Sequence, residues 1–185
     1  VITMPTSELQ DRKLDRAFDH LDADRDGAID RGDLVGLGAR VLLGFGEPPT
    51  SVRGRTLLDS FDQMWAALVA RLDLEDDGRI SRAQFRRGMI AAFIDGPDYE
   101  PVFRPAAQSL ASLCDVDADG MVDPAEFQIM QRAYGTEEGD IGTAFSALDS
   151  DKDGRLTVAE LVAAAETFYT GDDPRADGNW LFGQI

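Results

Sequence analysis

Three of the reactive or basic residue types are nearly missing from this 185-residue chain: it has one cysteine and one histidine, and 16 of its 18 basic residues are arginine. A single cysteine, Cys114, excludes an internal disulfide and permits a reducing compartment. His20 has no second histidine or cysteine at ligand spacing, which removes the usual zinc constellations and leaves helix-end packing as its expected role. No apolar run approaches the eighteen residues of a membrane span, and "VITMPTSELQ" lacks the basic and apolar regions of a secretory leader. A cytoplasmic protein is therefore expected, with Met4 as its natural start and Val1 to Thr3 as a remnant from outside it. Positive charge is scarce as well. Against 35 Asp and Glu stand 18 Lys and Arg, a net charge of −17, which argues against nucleic acid or an anionic membrane as the main partner. The scarcity of lysine beside abundant Ala and Gly fits a GC-rich bacterial coding sequence.

What is present is a core and a repeat. A hydrophobic fraction of 43% with ten phenylalanines is too rich for a disordered acidic tail. One twelve-residue pattern recurs four times: "DADRDGAIDRGD" from Asp22, "DLEDDGRISRAQ" from Asp73, "DVDADGMVDPAE" from Asp115 and "DSDKDGRLTVAE" from Asp149. Each carries acids at positions 1, 3 and 5 and glycine at 6, and position 8 is Ile29, Ile80, Val122 or Leu156. Leu21, Leu72, Cys114 and Leu148 stand immediately before the segments, and Leu34, Phe85, Phe127 and Leu161 immediately after. Upstream, Leu14, Phe18 and Leu21, and likewise Phe61, Trp65, Leu68 and Leu72, recur every three or four residues. Each segment is thus a loop between two amphipathic helices, and Ser7 with Gln10 has the capping-box spacing for the start of the first. The four loops hold 18 of the 35 acidic residues and 6 of the 18 basic ones, so 12 of the 17 net negative charges fall in 48 positions. Repulsion concentrated in this way calls for a counter-ion.

The spacing is that of the EF-hand. Calcium takes six to eight oxygens at about 2.3–2.6 Å. Side chains at positions 1, 3, 5 and 9, the carbonyl at 7 and a bidentate glutamate at 12 supply them, and glycine at 6 permits the turn. Loop three offers Asp115, Asp117, Asp119, Asp123 and Glu126 with the Met121 carbonyl; loop four offers Asp149, Asp151, Asp153, Thr157 and Glu160 with the Arg155 carbonyl. Loop one offers Asp22, Asp24, Asp26, Asp30 and Asp33 with the Ala28 carbonyl. Asp33 is one methylene shorter than glutamate, which predicts reduced calcium selectivity and suits the smaller, octahedral Mg2+ better. Loop two has the neutral Gln84 at position 12 and the long Glu75 at position 3. It is expected to be structural, although Asp73, Asp77 and Ser81 remain. "DPRADGNWLFGQ" from Asp173 resembles a fifth loop but has Arg175 at position 3 and Gln184 at 12, so it is set aside.

Loop starts lie 51, 42 and 34 residues apart, with "GFGEPPTSVRG" interrupting the first two units. Four units, a long first gap, a defective second loop and an apolar C-terminal "NWLFGQI" together resemble the sarcoplasmic calcium-binding proteins and their actinobacterial relative calerythrin. That resemblance implies an all-α fold, four helix–loop–helix units in two pairs packed into a compact globule, with about three Ca2+ in loops one, three and four. The expected division is an N-terminal pair over 1–95 and a C-terminal pair over 96–185, the tail lying in a groove of the protein's own helices. Calcium-triggered photoproteins are similar in scaffold, but that family surrounds its luciferin with several histidines, where this chain has only His20. With no nucleophile and base pair in view, no enzyme is expected. Scattered methionines (Met64, Met89, Met121 and Met130) argue against a calmodulin-like target surface. The expected role is that of an intracellular, monomeric calcium buffer or transport protein whose folding is coupled to the metal. A sensor that recruits a protein partner is the alternative.

Overall fold

The structure, a computed structural model, describes residues 7–74 and 78–185; Met4, Val1 to Thr3 and the loop-two positions Glu75 and Asp77 lie outside the described residues. Eight α-helices and four two-residue strands are formed among the described residues. Helix α1 (Glu8–Leu21) buries Leu14, Ala17, Phe18 and Leu21 along one side, as its three-and-four spacing dictates. It leads through loop one and β1 (Ala28–Ile29) into α2 (Arg31–Phe45). The second unit is α3 (Val52–Val69), β2 (Ile80–Ser81) and α4 (Arg82–Met89). The third is α5 (Arg104–Cys114), β3 (Met121–Val122) and α6 (Pro124–Tyr134), and the fourth is α7 (Glu138–Leu148), β4 (Leu156–Thr157) and α8 (Val158–Thr170).

The strands join loops two by two. β1 runs antiparallel to β2 with Ile29 opposite Ile80, and β3 to β4 with Val122 opposite Leu156. All four of these position-8 side chains are fully buried, so each little ladder is also a rivet into the core. The pairs then close on each other: α2 packs on α6, α3 on α5 and α1 on α8. Their apolar faces form one continuous cluster that includes Trp65, Phe85, Phe103, Phe127, Phe145 and Phe168. Fully burying a side chain of this size contributes about 1.5–3 kcal/mol, which offsets the entropy of ordering the chain.

Between the pairs the chain runs from α4 through a π-helical turn, Ile90–Ile94, and a second, Tyr99–Phe103, into α5. A Cβ at Gly96 would lie 1.9 Å from the Ala91 carbonyl oxygen, so only glycine passes at this bend. After α8 the C-terminal segment folds into a 3-10 turn, Asp177–Trp180, and returns to the helices. Leu181 and Phe182 are each only 2% exposed. The Phe182 ring stacks on Tyr134 at 4.7 Å and meets His20 and Phe168 edge-on at 4.6 and 5.0 Å. The Leu181 carbonyl accepts from Gln131 Nε2 at 2.7 Å, and the Phe182 carbonyl from Arg16 at 2.7 Å. The tail occupies a groove of its own protein.

One contact departs from expectation and a second adds to it. Ser7 Oγ does accept from Gln10 N at 3.1 Å, but the Gln10 side chain, itself buried, turns to the Thr170 carbonyl at 3.2 Å and ties α1 to α8. Lys13, one of the two lysines, is fully buried, its Nζ donating to the carbonyls of Thr167 (3.1 Å) and Gly171 (2.8 Å). A cation there satisfies the open carbonyls and complements the dipole at the end of α8, while burial pushes its ammonium below the ordinary lysine range.

Candidate metal centre

The loop glycines adopt the left-handed conformation that the turn demands, with φ of 85°, 84° and 83° at Gly27, Gly120 and Gly154 and 66° at Gly78. Position 4 is left-handed too, although it is not glycine: Arg25, Ala118 and Lys152 have φ of 58°, 59° and 59°. An L-residue pays about 1–2 kcal/mol for this. Its recurrence at one position in loops one, three and four marks a common wrapping of the backbone around a centre.

At that centre the side chains converge. The position-1 aspartates, Asp22, Asp115 and Asp149, are 6%, 9% and 9% exposed. Each accepts from two amides of its own loop: Asp22 from Asp26 N (3.0 Å) and Gly27 N (3.1 Å), Asp115 from Asp119 N (3.1 Å) and Gly120 N (2.9 Å), Asp149 from Asp153 N (3.2 Å) and Gly154 N (2.9 Å). Asp24, Asp117 and Asp151 bond the same position-5 amides at 3.2 Å. One oxygen from each of Asp22, Asp24 and Asp26 lies within 4.8 Å of the others, and the same holds for Asp115, Asp117 and Glu126, and for Asp149, Asp151 and Asp153. Two oxygens sharing an ion at about 2.4 Å can be no farther apart than about 4.8 Å, so these sets fit one calcium each.

Positions 9 and 12 carry a second duty that was legible in the sequence but not read from it. In every unit they form a capping box: Asp30 with Asp33, Ser81 with Gln84, Asp123 with Glu126 and Thr157 with Glu160. Each pair satisfies two free amides at the start of the exiting helix. The two glutamates also reach back to position 2 of their loops, Glu126 to Val116 N at 3.0 Å and Glu160 to Ser150 Oγ at 3.1 Å. Asp33 reaches Asp30 N at 2.8 Å. Its carboxyl is pushed above the ordinary aspartate range by burial and by Asp30, Asp24 and Asp26.

Arginines act around the loops in two ways. Arg79 and Arg155, both at position 7, send their side chains across the strand pair to the position-5 aspartate of the partner loop. Arg79 pairs with Asp26, and Arg155 Nη1 with Asp119 Oδ2 at 3.0 Å. The bond from Ala28 N and then the Arg79 partner hold the Asp26 carboxyl below its usual range. Meanwhile Arg40 donates to the His20 carbonyl at 2.8 Å, and Arg53 to the carbonyls of Ser112, Leu113 and Asp115 at 2.6–3.2 Å, closing the helix ends that feed loops one and three.

Cys114 is fully buried and burial pushes its thiol well up, which makes it a core residue. His20 is 7% exposed, and burial, then Arg16 and Arg40, lower its pKa to about 3, so it is a neutral imidazole between Tyr134 and Phe182. The segment from Asp173 forms the tail turn, with Asn179 Nδ2 donating to the Asp173 carbonyl at 2.8 Å.

Four helix–loop–helix units joined as two pairs, three of them carrying converged carboxylates among the described residues, define a divalent-cation-binding protein of the EF-hand class. The EF hand family model matches residues 14–36 and 141–164. Calerythrin of Saccharopolyspora erythraea is 25% identical over 168 residues, covering 90% of this chain and 95% of that protein. The sarcoplasmic calcium-binding protein beta chain of Penaeus sp. is 25% identical over 178 residues, covering 89% and 90%. A solved Streptomyces coelicolor calcium-binding protein, described in terms of prokaryotic calcium-mediated regulation, superposes with a TM-score of 0.73 at 31% identity over 89% of this chain and 99% of that one. The chain belongs to the calerythrin-like EF-hand calcium-binding proteins.

Proposed function

We propose that the protein is an intracellular calcium buffer or carrier that holds about three Ca2+ and folds its own core around them. The ligands are the side chains of Asp22, Asp24, Asp26, Asp30 and Asp33 with the Ala28 carbonyl in loop one. In loop three they are Asp115, Asp117, Asp119, Asp123 and Glu126 with the Met121 carbonyl, and in loop four Asp149, Asp151, Asp153, Thr157 and Glu160 with the Arg155 carbonyl. Loop one is the weak site and admits Mg2+, since Asp33 lacks the backward reach that Glu126 and Glu160 have. Loop two is structural and supports loop one through Ile80 and Ser81. The observation that carries the buffer reading is the tail: Leu181 and Phe182 fill the groove in which a sensor would seat its target. Three divalent ions offset six of the 17 net negative charges, so binding energy goes into compaction. No catalytic role is assigned, and the two pairs, 1–95 and 96–185, act as one cytoplasmic monomer.

The regulatory role described for the Streptomyces relative favours a second reading, a sensor whose groove opens when calcium binds. Dye fluorescence reporting exposed apolar surface, with millimolar magnesium throughout, separates the two. A fall on adding calcium supports the buffer and a rise the sensor. Calorimetry finding fewer than two calcium ions per chain overturns both.

A further inference from the structure

We propose that the cleft beside loop one binds a small organic anion, a carboxylate or phosphate on a compact body, and that a cation in loop one strengthens this binding. The cleft has a volume of about 780 Å3 and lies between the end of α1, the first half of loop one and the turn after α6. That is the size of an ordinary small-molecule site. Five of the 16 arginines line it, in a chain with nearly two acids for every base. Arg82 is paired with Asp19 at 2.6 Å and Arg132 with Glu138 at 2.7 Å.

The remaining three, Arg16, Arg25 and Arg40, make no ion pair with a carboxylate among the described residues. Two are held in place by carbonyl oxygens, Arg16 by Phe182 (2.7 Å) and Gln184 (3.0 Å), Arg40 by His20 (2.8 Å) and Ala133 (3.3 Å). Carbonyls fix a guanidinium without neutralising it, and each fork keeps unused N–H donors suited to a carboxylate or phosphate. Arg25 stands exposed at the left-handed position 4 of loop one, on the cleft edge. His20 lines the cleft as well, is more than nine-tenths buried, and its Nδ1 has no hydrogen-bond partner among the described residues.

Four carboxylates, Asp19, Asp22, Glu137 and Asp140, line the cleft as well, one fewer than its arginines, and the more distant negative charge of the protein is screened beyond about 8 Å at physiological salt. Asp22 sits in the cleft wall and is also the first ligand of loop one. A divalent ion there makes the local charge two units less negative, so anion and calcium strengthen each other, necessarily by the same factor. This coupling, unlike the anion site itself, rests on the reading that loop one holds calcium.

The test uses the single histidine, whose imidazole NMR signals need no assignment. Calcium-loaded protein is titrated with benzoate and, separately, with phenyl phosphate. Saturable shifts of the His20 ring are expected, with affinity weakened roughly tenfold in Arg25→Gln, where one fork is lost from an exposed position. No saturation by about 10 mM with either probe, or unchanged affinity in both Arg25→Gln and Arg40→Gln, overturns the site. Asp33→Ala, which lies outside the cleft, tests the coupling with calcium stoichiometry measured in the same sample. One calcium fewer together with weaker anion binding supports it. One calcium fewer with unchanged anion binding overturns it. Unchanged stoichiometry overturns the loop-one reading, while the arginine variants still decide the anion site.

Discussion

Replacing Glu160 by glutamine separates the metal from the fold at one atom. Glu160 Oε2 accepts from Thr157 N at 2.8 Å, its own amide donates to Thr157 Oγ at 3.0 Å, and Oε1 faces Ser150 Oγ at 3.1 Å. A glutamine keeps one acceptor oxygen, and Gln84 demonstrates within the same protein that this suffices for the cap, since its Oε1 accepts from Ser81 N at 2.8 Å. What is lost is one ligand oxygen and one charge. A contact to a charged group is worth about 1.5–3 kcal/mol, so loop four should weaken by roughly ten- to a hundredfold. Isothermal calorimetry in millimolar magnesium should therefore lose one strong calcium event, while the melting temperature in chelator stays within a degree or two of the parent. An unchanged titration would remove loop four from the sites. A large drop in the chelated melting temperature would show that the cap needs the charge, against the precedent of Gln84.

Phe182→Ala should destabilise the calcium-loaded protein by about 3–5 kcal/mol, the cost of truncating a buried phenylalanine, as measured by denaturant unfolding. Deleting residues 177–185 should make dye fluorescence rise on adding calcium, where that of the full chain falls; equal dye binding with and without calcium would contradict the role given to the tail. Chelation should lower the melting temperature, because each site with ligand at a hundred times its Kd adds about 2.7 kcal/mol to the loaded form. Asp33→Asn should raise the melting temperature of the chelated protein at pH 7. The Asp33 carboxyl titrates above its unfolded value, so its ionised form opposes folding at neutral pH and the penalty fades as pH falls toward the ordinary aspartate range, about 3.9. The advantage of asparagine should shrink over that same window, and an advantage that grows on acidification would reverse the assignment.

How much of this was legible in the sequence depends on the range over which each residue acts. The burial of Asp22, Asp115 and Asp149 against their own loop amides follows from spacing, because a twelve-residue loop of this pattern leaves each position little freedom. The burial of Ile29, Ile80, Val122 and Leu156 follows from the same repeat. Lys13, Arg40 and Arg53 carried no such signal, since each closes a helix end 20 to 158 residues away and looks like ordinary surface charge until the helices are packed. Gln10 was misread for the same reason: a local partner was assumed, and a carbonyl on α8 won. The capping boxes at positions 9 and 12 were visible throughout as S/T/D-x-x-E/Q/D, hidden by the attention that the ligands draw.

That double duty shapes how such loops change over generations. A glutamate codon becomes a glutamine codon by one base, and the pair Ser81–Gln84 shows the outcome, a helix still started correctly by a unit with its closing carboxylate gone. Because the cap survives the substitution, silencing a loop costs the fold the binding energy of that ion but not the start of its helix, and the reverse base change restores it. The number of ions the chain carries is thus open to mutational drift in both directions while its architecture stands still.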